Sequence, residues 1–320
     1  MLAFATIIRN KITKPAQFKL TFGWQFNIFI HPFMGLFTSK EKQIENPIKD
    51  GVLGEFKLHE LLNRGGMSEI WSATDMHHNH YALRMLNQNL RFDFTAKKRF
   101  LRGCEILSQV YDHEHIVQYY DHGKINGTLF LLMECVEGGN LKQLSHKGDP
   151  VLTQNLSETL IFIASALDHV HLQGFIHLDF KPENILMTRN GIVKLVDFDL
   201  SVPIQEKPFK TKKNPGTPFY MAPEQLLKQP IDRRVDIFSF GVTAYELTTQ
   251  SKPFPGESPE EILKFQLNQS RYLATPRSIN PSIPEGLEAI ILKCLKQDPE
   301  SRYPYMSVVL AELEKVLYLR

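Results

Sequence analysis

The chain has little cysteine. Its three thiols, Cys104, Cys135 and Cys294, are odd in number and far apart, and no two form a C-x-x-C pair. That pattern suggests neither a disulfide framework nor a cysteine-held zinc site. A reducing cytoplasm is the simplest setting for it. The chain also lacks a charge imbalance. At a net charge of +2 there is no whole-protein basis for binding nucleic acid. There is no internal repeat and no low-complexity run. Charged residues make up 22%, as in an ordinary globular protein, and 320 residues suffice for one sizeable domain with a short extension.

Residues 1–54 have their own shortages. Through residue 40 there is no acidic residue, while Arg9, Lys11, Lys14, Lys19 and Lys40 are basic. From Leu20 to Ser39 there is no charge, and Phe22, Trp24, Phe26, Phe29, Phe33 and Phe37 make the stretch aromatic. Its length suits a membrane span, but Gln25, Asn27, His31 and Pro32 interrupt it, and it begins too late and is too polar for an ordinary secretory signal. The alternation of Phe22, Trp24, Phe26, Ile28 and Ile30 could equally mean a strand. Two readings stay open: an extension that packs on the following domain or is poorly ordered, and membrane contact through residues 20–39.

Regular patterning starts at Phe56. Residues Phe56 to Tyr81 read as strand, glycine-rich turn, strand, short turn and strand. Phe94 to Val110 reads as a helix, with Phe100, Cys104, Leu107 and Tyr111 spaced by four, three and four. Thr128 to Cys135 reads as strand, and Ser157 to Leu172 as a helix with Leu160, Ile163, Leu167 and Val170 on one face. A small β-rich part thus precedes a larger helical part, an α+β order.

The most informative stretch is Ile176-His177-Leu178-Asp179-Phe180-Lys181-Pro182-Glu183-Asn184, followed thirteen residues after Asn184 by Asp197-Phe198-Asp199. An H-x-D-x-K-x-x-x-N segment followed by D-F-x resembles the phosphoryl-transfer centre of the eukaryotic-like protein kinases. Gly216-Thr217-Pro218-Phe219-Tyr220-Met221-Ala222-Pro223-Glu224 is similar to the serine/threonine-kinase G-T-x-x-Y-x-A-P-E segment. Leu62-Asn63-Arg64-Gly65-Gly66-Met67-Ser68-Glu69-Ile70-Trp71 resembles the phosphate-covering loop of bacterial-type serine/threonine kinases. Glycines there let backbone N–H groups close over phosphates.

The resemblance covers about residues 55–318 and implies a two-lobed α+β kinase fold, with an N-lobe over about 55–135 and a C-lobe over about 136–318. It implies ATP and Mg2+ as cofactors, with a protein Ser/Thr hydroxyl as acceptor. Asp179 would be the base, Lys181 would neutralise the transferring group, and Thr217 would hydrogen-bond both. Asn184 and Asp197 would hold magnesium. The nucleotide would be met by Leu62, Gly65, Gly66, Ile70, Ala82, Arg84, Met133, Glu134, Val136 and Leu186. His177 and Phe198 would pack in the core with Leu107 and Tyr119. Glu224 would pair with Arg302, and Asp236 would anchor the catalytic loop.

Five positions depart from the family pattern around the nucleotide. Arg84 stands for the lysine of A-x-K in Tyr81-Ala82-Leu83-Arg84, and the exchange is not conservative. Nineteen residues later, Gly103 stands for the helix glutamate that pairs with that lysine, and Glu105 points elsewhere, two residues being about 200° around a helix. Asn63 and Ser68 replace the first and third loop glycines, and Asp199 replaces the glycine of D-F-G. Asp199 would either assist a metal ion or restrict the segment's flip, and Arg84, lacking its glutamate, is expected either to reach the phosphates directly or to borrow a carboxylate from Asp197 or Asp199. Leu178, in place of the usual arginine, implies that a phosphate on the activation loop is not read by that route.

Two function classes follow: an active serine/threonine kinase, and a pseudokinase that binds nucleotide and acts as an interaction module. A small-molecule kinase fits less well, since the G-T-x-x-Y-x-A-P-E segment presents a protein substrate. Lys207, Lys210, Lys212 and Lys213 read as a solvated basic loop or a preference for acidic partners. His77, His78 and His80 read as a surface turn rather than a zinc site.

Overall fold

The computed structural model describes residues 51–211 and 216–318. The aromatic stretch 20–39, with its membrane question, and Lys212 and Lys213 lie outside the described residues. Among the described residues no helix is long and apolar enough to cross a membrane.

Seven strands and one long helix open the domain: β1 (Val52–Leu53), β2 (Phe56–Arg64), β3 (Ser68–Thr74), β4 (His80–Leu86), α1 (Phe94–Val110), β5 (Tyr119–Ile125), β6 (Thr128–Met133) and β7 (Gly138–Asn140). The first six form an antiparallel sheet in the order β1-β2-β3-β4-β6-β5. Its strands alternate as a two-sided sheet requires. On β4, Leu83 and Met85 join Leu53, Phe56, Leu58, Ala73, Phe130 and Leu132 in one cluster. Ala82 and Leu86 face the other way, into the main core with Leu131, Met133, Phe100, Cys104 and Leu107. Arg84 shares that inner face by period two, which puts it between the sheet and α1.

Helix α1 begins where Asp93 caps it, its carboxylate accepting from the Thr95 and Ala96 N–H groups. Its buried residues, Ala96, Phe100, Gly103, Cys104, Ile106, Leu107 and Val110, lie on one helical face, and Glu105 is exposed. The helix expected over Phe94 to Val110 is found there, and the three expected strands are present in order, with the third, β4, running on to Leu86 beyond the expected end at Tyr81.

The larger lobe runs α2 (Leu141–Lys147), α3 (Pro150–Gln154), α4 (Leu156–Leu172), β8 (Phe175–Ile176), β9 (Ile185–Thr188), β10 (Val193–Leu195), β11 (Val202–Pro203), α5 (Pro223–Leu226), α6 (Arg234–Thr249), α7 (Pro259–Leu267), α8 (Gln269–Tyr272), α9 (Pro276–Ile279), α10 (Glu285–Cys294) and α11 (Met306–Tyr318). Every residue of α6 from Val235 to Thr249 is buried, so this helix is the axis of the lobe rather than an amphipathic surface element. Strands β10, β9 and β7 form one small sheet, and β11 pairs with β8. The loop from Ile176 to Ile185 and the segment after Leu195 therefore leave neighbouring strands side by side. The lobes are stitched where the Val117 N–H donates to Leu195 O at 3.1 Å and the Leu195 N–H to His115 O at 2.8 Å.

Candidate active site

The loop between β8 and β9 is fixed from below. Asp236, fully buried in the first turn of α6, accepts from the His177 N–H at 2.7 Å and the Leu178 N–H at 2.9 Å. It also meets His171 Nε2 at 2.9 Å. Leu178 has φ of +65°, a left-handed conformation that is costly for a bulky residue. The two hydrogen bonds on its flanks explain how that backbone is held. The Leu178 side chain itself is buried, so the apolar replacement fills core space. His177 packs against Phe198 with ring centroids 5.1 Å apart, and burial lowers its pKa, which keeps it neutral. Phe198 and Leu107 share this core, with Tyr119 packed against it.

Above that base the polar side chains converge. Lys181 Nζ donates to Asp179 Oδ2 at 2.7 Å and to Thr217 Oγ1 at 2.9 Å. Thr217 thus meets Lys181 directly, as expected, and reaches Asp179 only through that ammonium. The Asn184 amide nitrogen donates to Asp179 O at 2.8 Å and to Asp179 Oδ2 at 3.0 Å. With the NH2 group spent there, the amide oxygen is the atom Asn184 has to offer a cation. Asp197 has φ of +65° and a side chain 38% exposed, so its carboxylate stands at the cleft. Burial, the largest single influence, works to raise its pKa, but the Arg84 guanidinium together with smaller contributions such as the Asp199 N–H and Lys181 outweighs it and holds it below the ordinary carboxylate value. Among the described residues no three acidic, histidine or cysteine side chains cluster to cage a metal. Magnesium does not need such a cage, because it binds through one or two protein oxygens plus substrate phosphates. The donor set of one amide and one carboxylate oxygen fits it.

Arg84 is the second focus. Its Nε donates to Ser68 Oγ at 2.8 Å, Nη1 to Asp199 Oδ1 at 2.9 Å and Nη2 to Asp199 Oδ2 at 2.6 Å. The guanidinium also lies 5.3 Å from the centroid of the Phe100 ring. Both partners are buried, Arg84 at 8% and Asp199 at 1% exposure. Burial disfavours charge on Arg84, yet Asp199 and Asp197 push its pKa up. Burial likewise pushes the Asp199 carboxyl up, against the pull of Arg84. Three of the five guanidinium N–H groups are committed. One N–H remains on each Nη, and Nη1 stands 3.6 Å from Asp197 Oδ1, toward the cleft.

The residues expected to meet the nucleotide sit on five strands, β2, β3, β4, β6 and β9, and the turns beside them. Ile70 on β3 pairs in register with Arg84, and Ala82 with Met133 at the end of β6. Ala82 and Met133 are buried, Ile70, Val136 and Leu186 half-buried, and Leu62 exposed at the end of β2. Glu134 accepts from the Gln118 N–H and pairs with Lys194, both at 3.1 Å, so its side chain braces the strand connection. Gly65 and Gly66 form the turn between β2 and β3, and nothing lies within 4 Å of where a Gly66 β-carbon would be.

Several contributors went unnamed in the sequence reading. Asn87, just after β4, donates to Gly65 O at 2.8 Å and Gly66 O at 3.0 Å, pinning the glycine turn. Arg102 of α1 donates to Asp199 O at 3.0 Å. Behind Thr217, Glu246 pairs with Lys142 and with Lys252, the latter at 2.6 Å, and accepts from the Tyr220 hydroxyl at 2.7 Å. Asn87 and Arg102 carry no pattern of their own, and the partners that give them meaning are 21 residues or more away. His171 had a faint signal, a polar residue on the buried face of α4. By contrast the expected Glu224–Arg302 pair is present and bidentate, at 2.7 and 2.8 Å.

The protein kinase domain family matches residues 56–312. The chain is 32% identical over 282 residues to a probable serine/threonine-protein kinase of Streptomyces coelicolor, which covers 86% of this chain and 41% of that protein. It is 31% identical over 269 residues to serine/threonine-protein kinase PknB of Mycolicibacterium smegmatis, covering 82% and 43%. Against serine/threonine-protein kinase PknE of Mycobacterium tuberculosis it is 30% identical over 252 residues, covering 78% and 44%. The aligned part is thus less than half the length of each of these relatives.

Proposed function

This chain belongs to the protein kinase family, of the bacterial serine/threonine type, and from that membership we propose that it transfers the γ-phosphoryl group of ATP to a serine or threonine hydroxyl of a protein. The observation that carries this reading is the Lys181 ammonium, within 2.9 Å of both the Asp179 carboxylate and the Thr217 hydroxyl. Asp179 Oδ accepts the hydroxyl proton while the substrate oxygen bonds to the γ-phosphorus. The bond from that phosphorus to the β–γ bridging oxygen breaks, and ADP leaves with the electron pair. Lys181 neutralises charge on the group in flight, and Thr217 holds Lys181 in place. Asn184 and Asp197 offer the oxygens that would hold magnesium, which when bound neutralises the phosphates. Leu62, Ile70, Ala82 and Leu186 supply apolar surface for the base of the nucleotide. Met133, Glu134 and Val136 border it, and Gly65 and Gly66 cover the phosphates.

A second reading, a nucleotide-binding interaction module with little turnover, has one observation in its favour. Arg84 spends three of its N–H groups inside the protein, which leaves it less to give a phosphate than a free lysine would. Phosphate transfer from ATP by purified protein separates the two. On the kinase reading, Asp179→Asn lowers transfer by roughly 100-fold or more, while Mg-ATP raises the melting temperature of both proteins by mass action. Transfer no faster than in Asp179→Asn, with the Mg-ATP shift present, leaves the interaction module. With no shift either, both readings fail.

A further inference from the structure

Four of the five departures from the family pattern around the nucleotide, Ser68, Arg84, Gly103 and Asp199, meet at one point. Ser68 and Asp199 are the two hydrogen-bond acceptors of Arg84, and Gly103 is the surface against which Asp199 lies. A β-carbon at Gly103 would stand 2.4 Å from Asp199 Oδ1 and 3.0 Å from both Asp199 Cα and N. Real β-carbons essentially never come within 2.4 Å of another heavy atom, and 3.0 Å from the backbone is already tight, so a side chain at that place on α1 displaces the Asp199 carboxylate from its present position. Each substitution alone breaks something. An arginine without a carboxylate is a buried unpaired charge, and a carboxylate without the glycine has no room.

Going beyond the proposed reaction, and standing whether or not transfer occurs, we propose that Asp199 is the positioning residue for Arg84. The cation on strand β4 takes its counter-ion from the start of the activation segment instead of from helix α1. Gly103 vacates the old place and Ser68 completes the new one. The choice of arginine follows from the geometry. A planar fork spans both carboxylate oxygens in parallel and still has Nε for Ser68, which a single ammonium cannot do. Arg102, also on α1, holds the Asp199 carbonyl. The peptide of Asp199 is therefore fastened to the helix and its side chain to the strand. Asp197 lies two residues away, so the cleft carboxylate and the strand cation are positioned as one unit.

The test is compensation, read by thermal melting and by the further rise that Mg-ATP produces. Asp199→Gly removes the counter-ion, and Gly103→Glu intrudes on it while adding a second carboxylate. Each alone lowers the melting temperature by roughly 10 °C. The double variant Asp199→Gly/Gly103→Glu recovers at least half of the larger loss, because the new carboxylate on α1 enters the vacated space. In Asp199→Asn, which keeps the shape and removes the charge, the Mg-ATP-induced rise shrinks at least two-fold. A merely structural pair would leave that rise unchanged. Losses that add in the double variant overturn the proposal, as does an Asp199→Asn protein that melts and responds to Mg-ATP like wild type. If the single changes prevent folding, a folded double variant is itself the compensation, and an unfolded one is the overturning result. Wild type showing no Mg-ATP response while compensation holds would sink the proposed reaction and leave the exchanged counter-ion standing.

Discussion

Two buried arginines bind carboxylates through both guanidinium arms, and they differ in what remains. Arg302 gives Nη1 and Nη2 to Glu224. Its other three N–H groups go to Lys296 O at 2.8 Å, Arg234 O at 3.1 Å and Gln297 O at 3.0 Å. All five donors are used, within one lobe, on backbone and a single side chain. Arg84 uses three, on strand β3 and the activation segment, and keeps one on each Nη, with Nη1 3.6 Å from Asp197 Oδ1. A saturated arginine can only be architecture. An unsaturated one at a cleft edge has capacity for a ligand, and that difference is chemical rather than positional.

The largest effect should come from breaking the saturated pair. Arg302→Leu leaves Glu224 buried without its partner and three carbonyls without donors, a loss of about 3–5 kcal/mol in a urea titration. Protein that still folds should bind Mg-ATP as wild type does. A loss below about 1 kcal/mol would mean water replaces the arginine, and the saturation has no energetic meaning.

Removing the unsaturated cation should show in binding more than in folding. Arg84→Ala weakens Mg-ATP binding by about 1.5–3 kcal/mol, the scale of a charged hydrogen bond lost, measured by titration calorimetry. Its folding cost is smaller than that of Arg302→Leu, since burial already favours the protonated form of Asp199 and the carboxyl can go neutral. Unchanged ATP affinity would place Arg84 with Arg302 as architecture.

A site with no arginine extends the comparison. His113 packs against His169 at 4.9 Å and His115 at 5.7 Å between centroids. Burial, then the neighbouring histidines, push its pKa down to about 4. The unfolded chain takes up that proton near pH 6.5 and the folded one only near 4, so stability is present above pH 6.5 and falls as the pH drops toward 4. After discount for its partial exposure, the loss is about 1 kcal/mol by pH 5. His113→Gln should flatten the slope of melting temperature between pH 7 and 5. An unchanged slope would assign the acid sensitivity elsewhere.

The smallest effect sharpens the contrast from the activation segment's side. Leu178 is buried and uncharged, and the segment begins on a built-in ion pair at Asp199. Alanine at Thr211 should therefore leave transfer within a few-fold of wild type. A large loss rescued by Thr211→Glu would show that a loop phosphate is read by another cation.

Legibility followed the distance between partners. Strand β4 and helix α1 were readable because burial repeats every two residues in one and every three or four in the other. The loop holding Asp179, Lys181 and Asn184 was readable because its contacts span two to five residues. Asp199 was recognisable as a departure and, with Asp197, as a carboxylate that Arg84 could borrow, but the choice between the two was not legible. Arg84 and Asp199 stand 115 residues apart, and nothing local to either decides that choice.

The sequence by itself determined the α+β order, the family, and the residue types at the transfer centre. These rest on periodicity and short spacing, which the backbone geometry fixes locally. Only the tertiary structure decided which carboxylate neutralises Arg84. That choice turns on the space left by one missing β-carbon at Gly103, 2.4 Å from where Asp199 Oδ1 now lies. An absent atom has no pattern along a chain, and its meaning appears only when packing brings helix, strand and activation segment to the same few ångströms.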